Sequence, residues 1–192
     1  MNTGAMSQPF SGQETASIAR LTEFDATLHD GRVVHIRPMY TSDEAELLQA
    51  FDRLSPEARY MRFMRAVREP NLERLRKTLA SFPQSGDANV ATVPAADGID
   101  IVGTAMFVIL SDPTACEFAI NVAGDFCAVG LGSLLMETLI ATARQRGLKE
   151  MDGLVLAANQ PMLRLAARLG FTSSHDPDDA TVRWCRMRLD QA

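Results

Sequence analysis

Apolar residues change their spacing along the chain in a way that separates strands from helices. Ala26 and Leu28 before Asp30-Gly31, and Val34 and Ile36 after it, alternate with polar positions, so this stretch reads as a hairpin whose second strand ends at Pro38. Thr41 and Glu44 have the spacing of a capping box, and Ala45, Leu47, Leu48 and Phe51 behind them predict a helix of about three turns. Ser55-Pro56-Glu57 opens a second helix, with Tyr60, Phe63, Met64 and Val67 on one face and Arg59, Arg62, Arg65 and Arg68 spaced by three on another. A third helix is expected from about Asn71 to Leu79. The period then returns to two. Strands are expected at Val90 to Val93, Ile101 to Leu110 and Ala115 to Val122, with a loop from Ser81 to Asp87 and turns at Asp97-Gly98 and Asp112-Pro113.

From Gly130 to Arg146 the apolar positions Leu131, Leu134, Leu135, Thr138 and Leu139 follow a helical stripe that Gly147 ends. A strand at Met151 to Leu156 comes next. Asn159-Gln160-Pro161 then opens a helix through Leu169 with Met162, Leu165, Ala166 and Leu169 inward and Gly170 as its stop; after Phe171 a final strand is expected at about Thr181 to Leu189. Two hairpins in series followed by a crossover helix imply an α/β fold with a mixed, mostly antiparallel twisted sheet flanked by helices.

Composition narrows this picture. With 192 residues, 46% of them hydrophobic and 22% charged, the chain suits one domain with a substantial core. Residues 1–23 are rich in Ser, Thr, Gly and Gln and carry neither a basic start nor an apolar block, so they read as a disordered tail before a domain over 24–192. A net charge of -5 argues against a nucleic-acid binder. The longest apolar runs fall far short of the roughly 20 residues that cross a bilayer, so no membrane partner is expected. Cys116, Cys127 and Cys185 are odd in number and lack metal-ligand spacing, which suggests a reducing, cytoplasmic location. His29, His35 and His175 are isolated from them, so no metal is expected. No oligomeric state is legible.

The chemistry concentrates between Cys116 and Leu135, CEFAINVAGDFCAVGLGSLL: an apolar strand, a proline-free turn, and two glycines opening the long helix. The first N–H groups of a helix have no partner within it and sit at its positive dipole end, which suits an anion such as a phosphate. A dinucleotide fingerprint would need a third glycine where Leu135 stands, and a nucleotide P-loop would need Gly-Lys where Leu131 and Gly132 precede Ser133.

What remains is a turn of the form xxxGxG at Cys127 to Gly132, and here the chain resembles the GNAT-type N-acetyltransferases, in which (Gln/Arg)xxGx(Gly/Ala) holds the pyrophosphate of acetyl-CoA. The resemblance is nearest to the GNAT domain of bacterial protein-lysine acetyltransferases linked to acyl-CoA-synthetase-like regions. Its pattern of IRP, RLSPExRYxRF, AEFAVxVRDDWQGRGLGSLL and AxNxxMLRLAxRLGF reads here as Ile36-Arg37-Pro38, RLSPEARYMRF from Arg53, the Cys116 to Leu135 stretch, and AANQPMLRLAARLGF from Ala157. Cys127 replaces the family's Gln, and Ala128 and Val129 replace its Gly-Arg.

The resemblance implies acetyl-CoA as cosubstrate and an amine acceptor, a small molecule or a protein lysine. It assigns the pyrophosphate to Cys127, Ala128, Val129, Gly130, Leu131, Gly132 and Ser133, with Val122 and Asn159 along the pantetheine. Asn159 reads equally as a helix cap. Loss of two phosphate-directed side chains is expected to weaken binding, at about 1.5–3 kcal/mol for each hydrogen bond to a charged group. Attack on a thioester needs a neutral amine, and about one lysine in 2,500 is neutral at pH 7, so a base is useful. Glu117 matches the glutamate of the related AEF segment, and flanking Phe118 and Ile120 would raise its pKa by desolvation. The family's tyrosine acid has no counterpart at Ala166. Cys127, near a helix N-terminus, invites a lowered thiol pKa, although a small tolerated residue fits as well. The arginine series reads either as a solvated face or as a guide for an acidic acceptor. A noncatalytic acyl-CoA-sensing domain is the alternative that the altered turn leaves open.

Overall fold

A computed structural model describes residues 21–96 and 98–190; the expected tail lies outside these except for residues 21–23, as does Asp97 of the expected turn. Eight strands form one sheet: β1 (Phe24–Thr27), β2 (Val33–Pro38), β3 (Gly86–Ala95), β4 (Gly98–Ile109), β5 (Ala115–Val122), β6 (Glu150–Leu156), β7 (Thr172–His175) and β8 (Val182–Arg188). Their order is β1-β2-β3-β4-β5-β6-β8-β7, and among the described residues only β5 and β6 run parallel. The expected mixed, mostly antiparallel sheet is present. The helix α4 (Leu131–Gln145) makes the crossover that a parallel pair requires.

Helix α4 is the central packing element. Leu131, Leu135, Met136 and Leu139 are wholly buried on it, each contributing about 1.5–3 kcal/mol relative to exposure. A β-carbon on Gly103 of β4 would meet Leu135 at 2.7 Å and Leu131 at 3.1 Å, so this glycine lets helix and sheet approach closely. Helix α5 (Gln160–Leu169) begins with the Asn159 cap and ends at Gly170, whose φ of +95° suits glycine. The other face of the sheet carries α1 (Glu44–Asp52) on β4 and α2 (Pro56–Phe63) on β5, with α3 (Leu72–Ser81) beside them.

Several local expectations need correction. A 3-10 turn at Thr41–Asp43 precedes α1, and its reciprocal contact is the Tyr40 N–H donating to Asp43 at 2.8 Å; Thr41 and Glu44 do not form the box. Helix α2 stops at Phe63 because Met64 is left-handed, φ 55°, so Val67 lies beyond it and Tyr60 is exposed. The arginine series is therefore no continuous helical face. Strand β3 is longer than Val90 to Val93, and β7 (TSSH) adds an edge strand where none was expected.

Candidate active site

Strands β5 and β6 pair only at Ala115↔Glu150, Cys116↔Met151 and Glu117↔Asp152. Beyond these rungs β6 continues against β8 as far as Leu156↔Val182, while β5 continues against β4 as far as Val122↔Gly103. The two strands therefore part, leaving a V-shaped opening with Glu117 at its apex and Val122 along one arm. Asn159 stands just past the end of the other arm, where it accepts a hydrogen bond from Met162 N–H at 3.2 Å. Its capping role is thus observed.

The expected turn follows β5. Ala128 and Gly130 have φ of 62° and 97°, and such alternation of left-handed residues with an intervening ordinary one aims backbone N–H groups into a concavity of the kind that binds anions. Among the described residues, none of the N–H groups from Ala128 to Ser133 has an acceptor. The geometry suits a diphosphate: a row of free donors, at the positive end of a fifteen-residue helix. Gly132 lies under α5, where a β-carbon would come within 3.2 Å of the Leu165 side chain and 3.9 Å of Val122.

Side chains distant in sequence complete this turn. The β1–β2 hairpin places the His29 ring against Gly130, 3.0 Å from where a β-carbon would stand, and the His29 N–H donates to the Val129 carbonyl at 3.0 Å. Arg32 donates to the Asp125 carbonyl at 2.6 Å, lies 3.8 Å from the Phe126 ring centroid, and is held by Asp30, whose carboxyl it keeps below the usual range. From α5, Arg168 reaches Ser133 Oγ at 3.4 Å. Sequence reading missed His29, Arg32 and Arg168. Their only signal was a polar hairpin turn and a basic residue near the end of α5.

Glu117 is exposed at the apex of the V. Strand alternation turns Phe118 and Ile120 to the opposite face, Ile120 toward Gly132 and α4, so the desolvation expected from these two neighbours is not there. Arg62, in the last turn of α2, lies in the field of Glu117. Burial pushes its guanidinium below the ordinary range, Glu117 opposes that push, and Arg74 adds to it. Cys127 does not have the lowered pKa that a thiol near a helix N-terminus can acquire. Partial burial, then the Asp125 carboxylate, pushes it up, and the thiol donates toward the Ala123 carbonyl at 3.6 Å. Ala166 is buried, with no tyrosine in its place. Among the described residues no cluster of His, Cys, Asp or Glu has the arrangement of a metal site, and no helix is long and apolar enough to cross a membrane.

An open mixed sheet parted beside a glycine turn and a crossover helix defines an acyltransferase architecture, and the chain belongs to the Acetyltransferase (GNAT) family, whose model matches residues 47–171. Among its relatives, Acetyltransferase PA5475 of Pseudomonas aeruginosa is 35% identical over 163 residues, which are 85% of this chain and 88% of that protein. The crystal structure of the GNAT domain of S. lividans PAT superposes with a TM-score of 0.78 at 21% identity, covering 86% of this chain and 96% of that one. The structure of yncA, a putative acetyltransferase from Salmonella typhimurium with its cofactor acetyl-CoA, gives a TM-score of 0.64 at 20% identity over 83% of this chain and 95% of that one.

Proposed function

We propose that this protein is an N-acetyltransferase that moves an acetyl group from acetyl-CoA to a primary amine by direct attack, with Glu117 as general base. The observation that carries the cosubstrate is the row of N–H groups from Ala128 to Ser133 that have no acceptor among the described residues, beside the parted strands. These donors take the diphosphate; Leu131 and Gly132 contribute only backbone, and the side chains of Cys127, Ala128 and Val129 add no charge. His29 and Arg168 stand where they offset part of that deficit. The pantetheine runs into the V past Val122 and Asn159, which brings the thioester toward Glu117. The yncA neighbour, solved with acetyl-CoA, supports the choice of ligand.

Glu117 takes a proton from the incoming ammonium, directly or through water. Supplying the neutral amine at pH 7 is worth roughly 4.6 kcal/mol for a group with the ordinary lysine pKa of about 10.4. Nitrogen then attacks the thioester carbonyl and gives up a second proton to water, the carbon–sulfur bond breaks, and the thiolate leaves with the electron pair. With Ala166 in place of a tyrosine, that thiolate is protonated by water or departs as the anion. Calorimetry tests the cosubstrate: acetyl-CoA should give heat that CoA competes away and that Gly132→Trp abolishes, while no heat at millimolar concentrations contradicts the reading. A domain that binds acyl-CoA but transfers nothing is distinguished by thiol release.

A further inference from the structure

Arg59 and Arg62 stand in neighbouring turns of α2 and differ completely in their surroundings. Arg59 is spent on architecture: it donates to the carbonyls of Leu54 at 3.1 Å, Arg68 at 2.9 Å and Asp52 at 3.1 Å, and lies 4.2 Å from the Phe51 ring centroid. Arg62 makes none of these contacts. Its Nε is fully enclosed, and among the described residues the guanidinium has no hydrogen bond and no ion pair, only the Phe63 ring at 5.1 Å. A half-buried cation whose Nε is enclosed without a partner is costly, and folds keep one mainly where something else supplies the anion. Helix α2 packs on β5, whose Glu117 is exposed and forms no ion pair with Arg62.

The site thus holds an available carboxylate and an unpartnered guanidinium on the same side of the sheet. Such a pair complements a molecule that carries an amine and an acid close together. A planar guanidinium suits a carboxylate, which it can hold through two parallel hydrogen bonds. A simple alkylamine, or a lysine with no acid beside it, would satisfy Glu117 and leave Arg62 without an anion.

We propose that the acceptor is an amino acid or a similar small amino-carboxylate, its amine directed to Glu117 and its acid held by Arg62. This rests on the acetyltransferase reading and names the substrate class for that site. Arg62 is a specificity-determining residue that holds the acceptor without exchanging a proton with it.

Calorimetric titration of the full chain, with and without CoA, tests this without requiring turnover. The probes are N-acetylated amino acids, each paired with its own primary amide, and an N-acetyl-lysine peptide. The free acids should bind at least about tenfold tighter than their amides, as one charge-assisted hydrogen bond implies. That preference should vanish in Arg62→Gln and return in part in Arg62→Lys, with CoA affinity unchanged in both. Arg62→Gln should be at least as resistant to denaturant as the wild type, since it removes a half-buried charge that makes no ion pair among the described residues. Equal binding of acids and amides, a preference that survives Arg62→Gln, or a peptide that outbinds every amino acid overturns the proposal. So does a loss of stability in Arg62→Gln, which would make Arg62 structural. CoA heat without an acid preference defeats this proposal alone, whereas absence of CoA heat defeats the acetyltransferase reading.

Discussion

The Phe118 ring fills the space that a β-carbon on Gly153 would occupy. In parallel register Phe118↔Gly153 would be the rung after Glu117↔Asp152, the last pair formed. Phe118 is further held by Phe171, at 5.1 Å between centroids in an edge-on arrangement. The ring thus sits where β5 and β6 begin to part, and Gly153 accommodates it. Gly153→Ala should overpack this point and lower stability by about 1–3 kcal/mol, a fall in Tm of roughly 2–12 °C. Denaturant melts with an unchanged m-value would verify it; a wild-type midpoint would show that the contact yields freely.

The clamp between hairpin and turn gives a second expectation. Arg32→Ala removes the hydrogen bond to the Asp125 carbonyl and the contact with Phe126, while leaving every turn N–H in place. Acetyl-CoA affinity should fall by roughly three- to tenfold, a charge-assisted bond discounted for exposure. Titration of both proteins with acetyl-CoA checks this, and equal affinities would release the hairpin from any role in shaping the turn.

Thiol titration supplies a pH test. Burial, followed by the Asp152 charge, pushes the Cys116 thiol up from 9.0 to about 12. A raised acid binds its proton more tightly in the folded state. Its contribution to stability is therefore fully present below the unfolded value of 9.0 and is lost as pH rises toward about 12. Iodoacetamide should leave Cys116 unmodified in the native protein, and Cys127 should react more slowly than a free thiol despite its exposure. Mass spectrometry of native alkylation reads both, and rapid labelling of Cys127 near neutral pH would contradict the assignment.

Much of the fold was legible because its elements bury one face. Ser55-Pro56, Asn71 and Asn159 begin helices as their residue types imply, and Gly147 and Gly170 follow helix ends with positive φ. Strand β7 escaped because TSSH is an exposed edge with no apolar alternation to read. The arginine series misled because one left-handed residue, Met64, ends the helix, so Arg65 and Arg68 do not continue the face that Arg59 and Arg62 occupy. The glycine turn was visible, but the contacts around it were not. Arg32 and Asp125 are separated by 93 positions, and no local pattern joins them.

Glu117 at the parting of β5 and β6 carries the central claim, and CoA thiol release with amino-acid acceptors, compared between wild type and Glu117→Gln from about pH 6 to 9, tests it most directly. The Gln variant keeps the shape of the site and loses the proton acceptor. Its kcat should fall by about 10²–10⁴-fold with acetyl-CoA affinity unchanged, and part of the loss should return at higher pH, where more amine is already neutral. Turnover equal to that of the wild type across the range would contradict the role of Glu117 as the base.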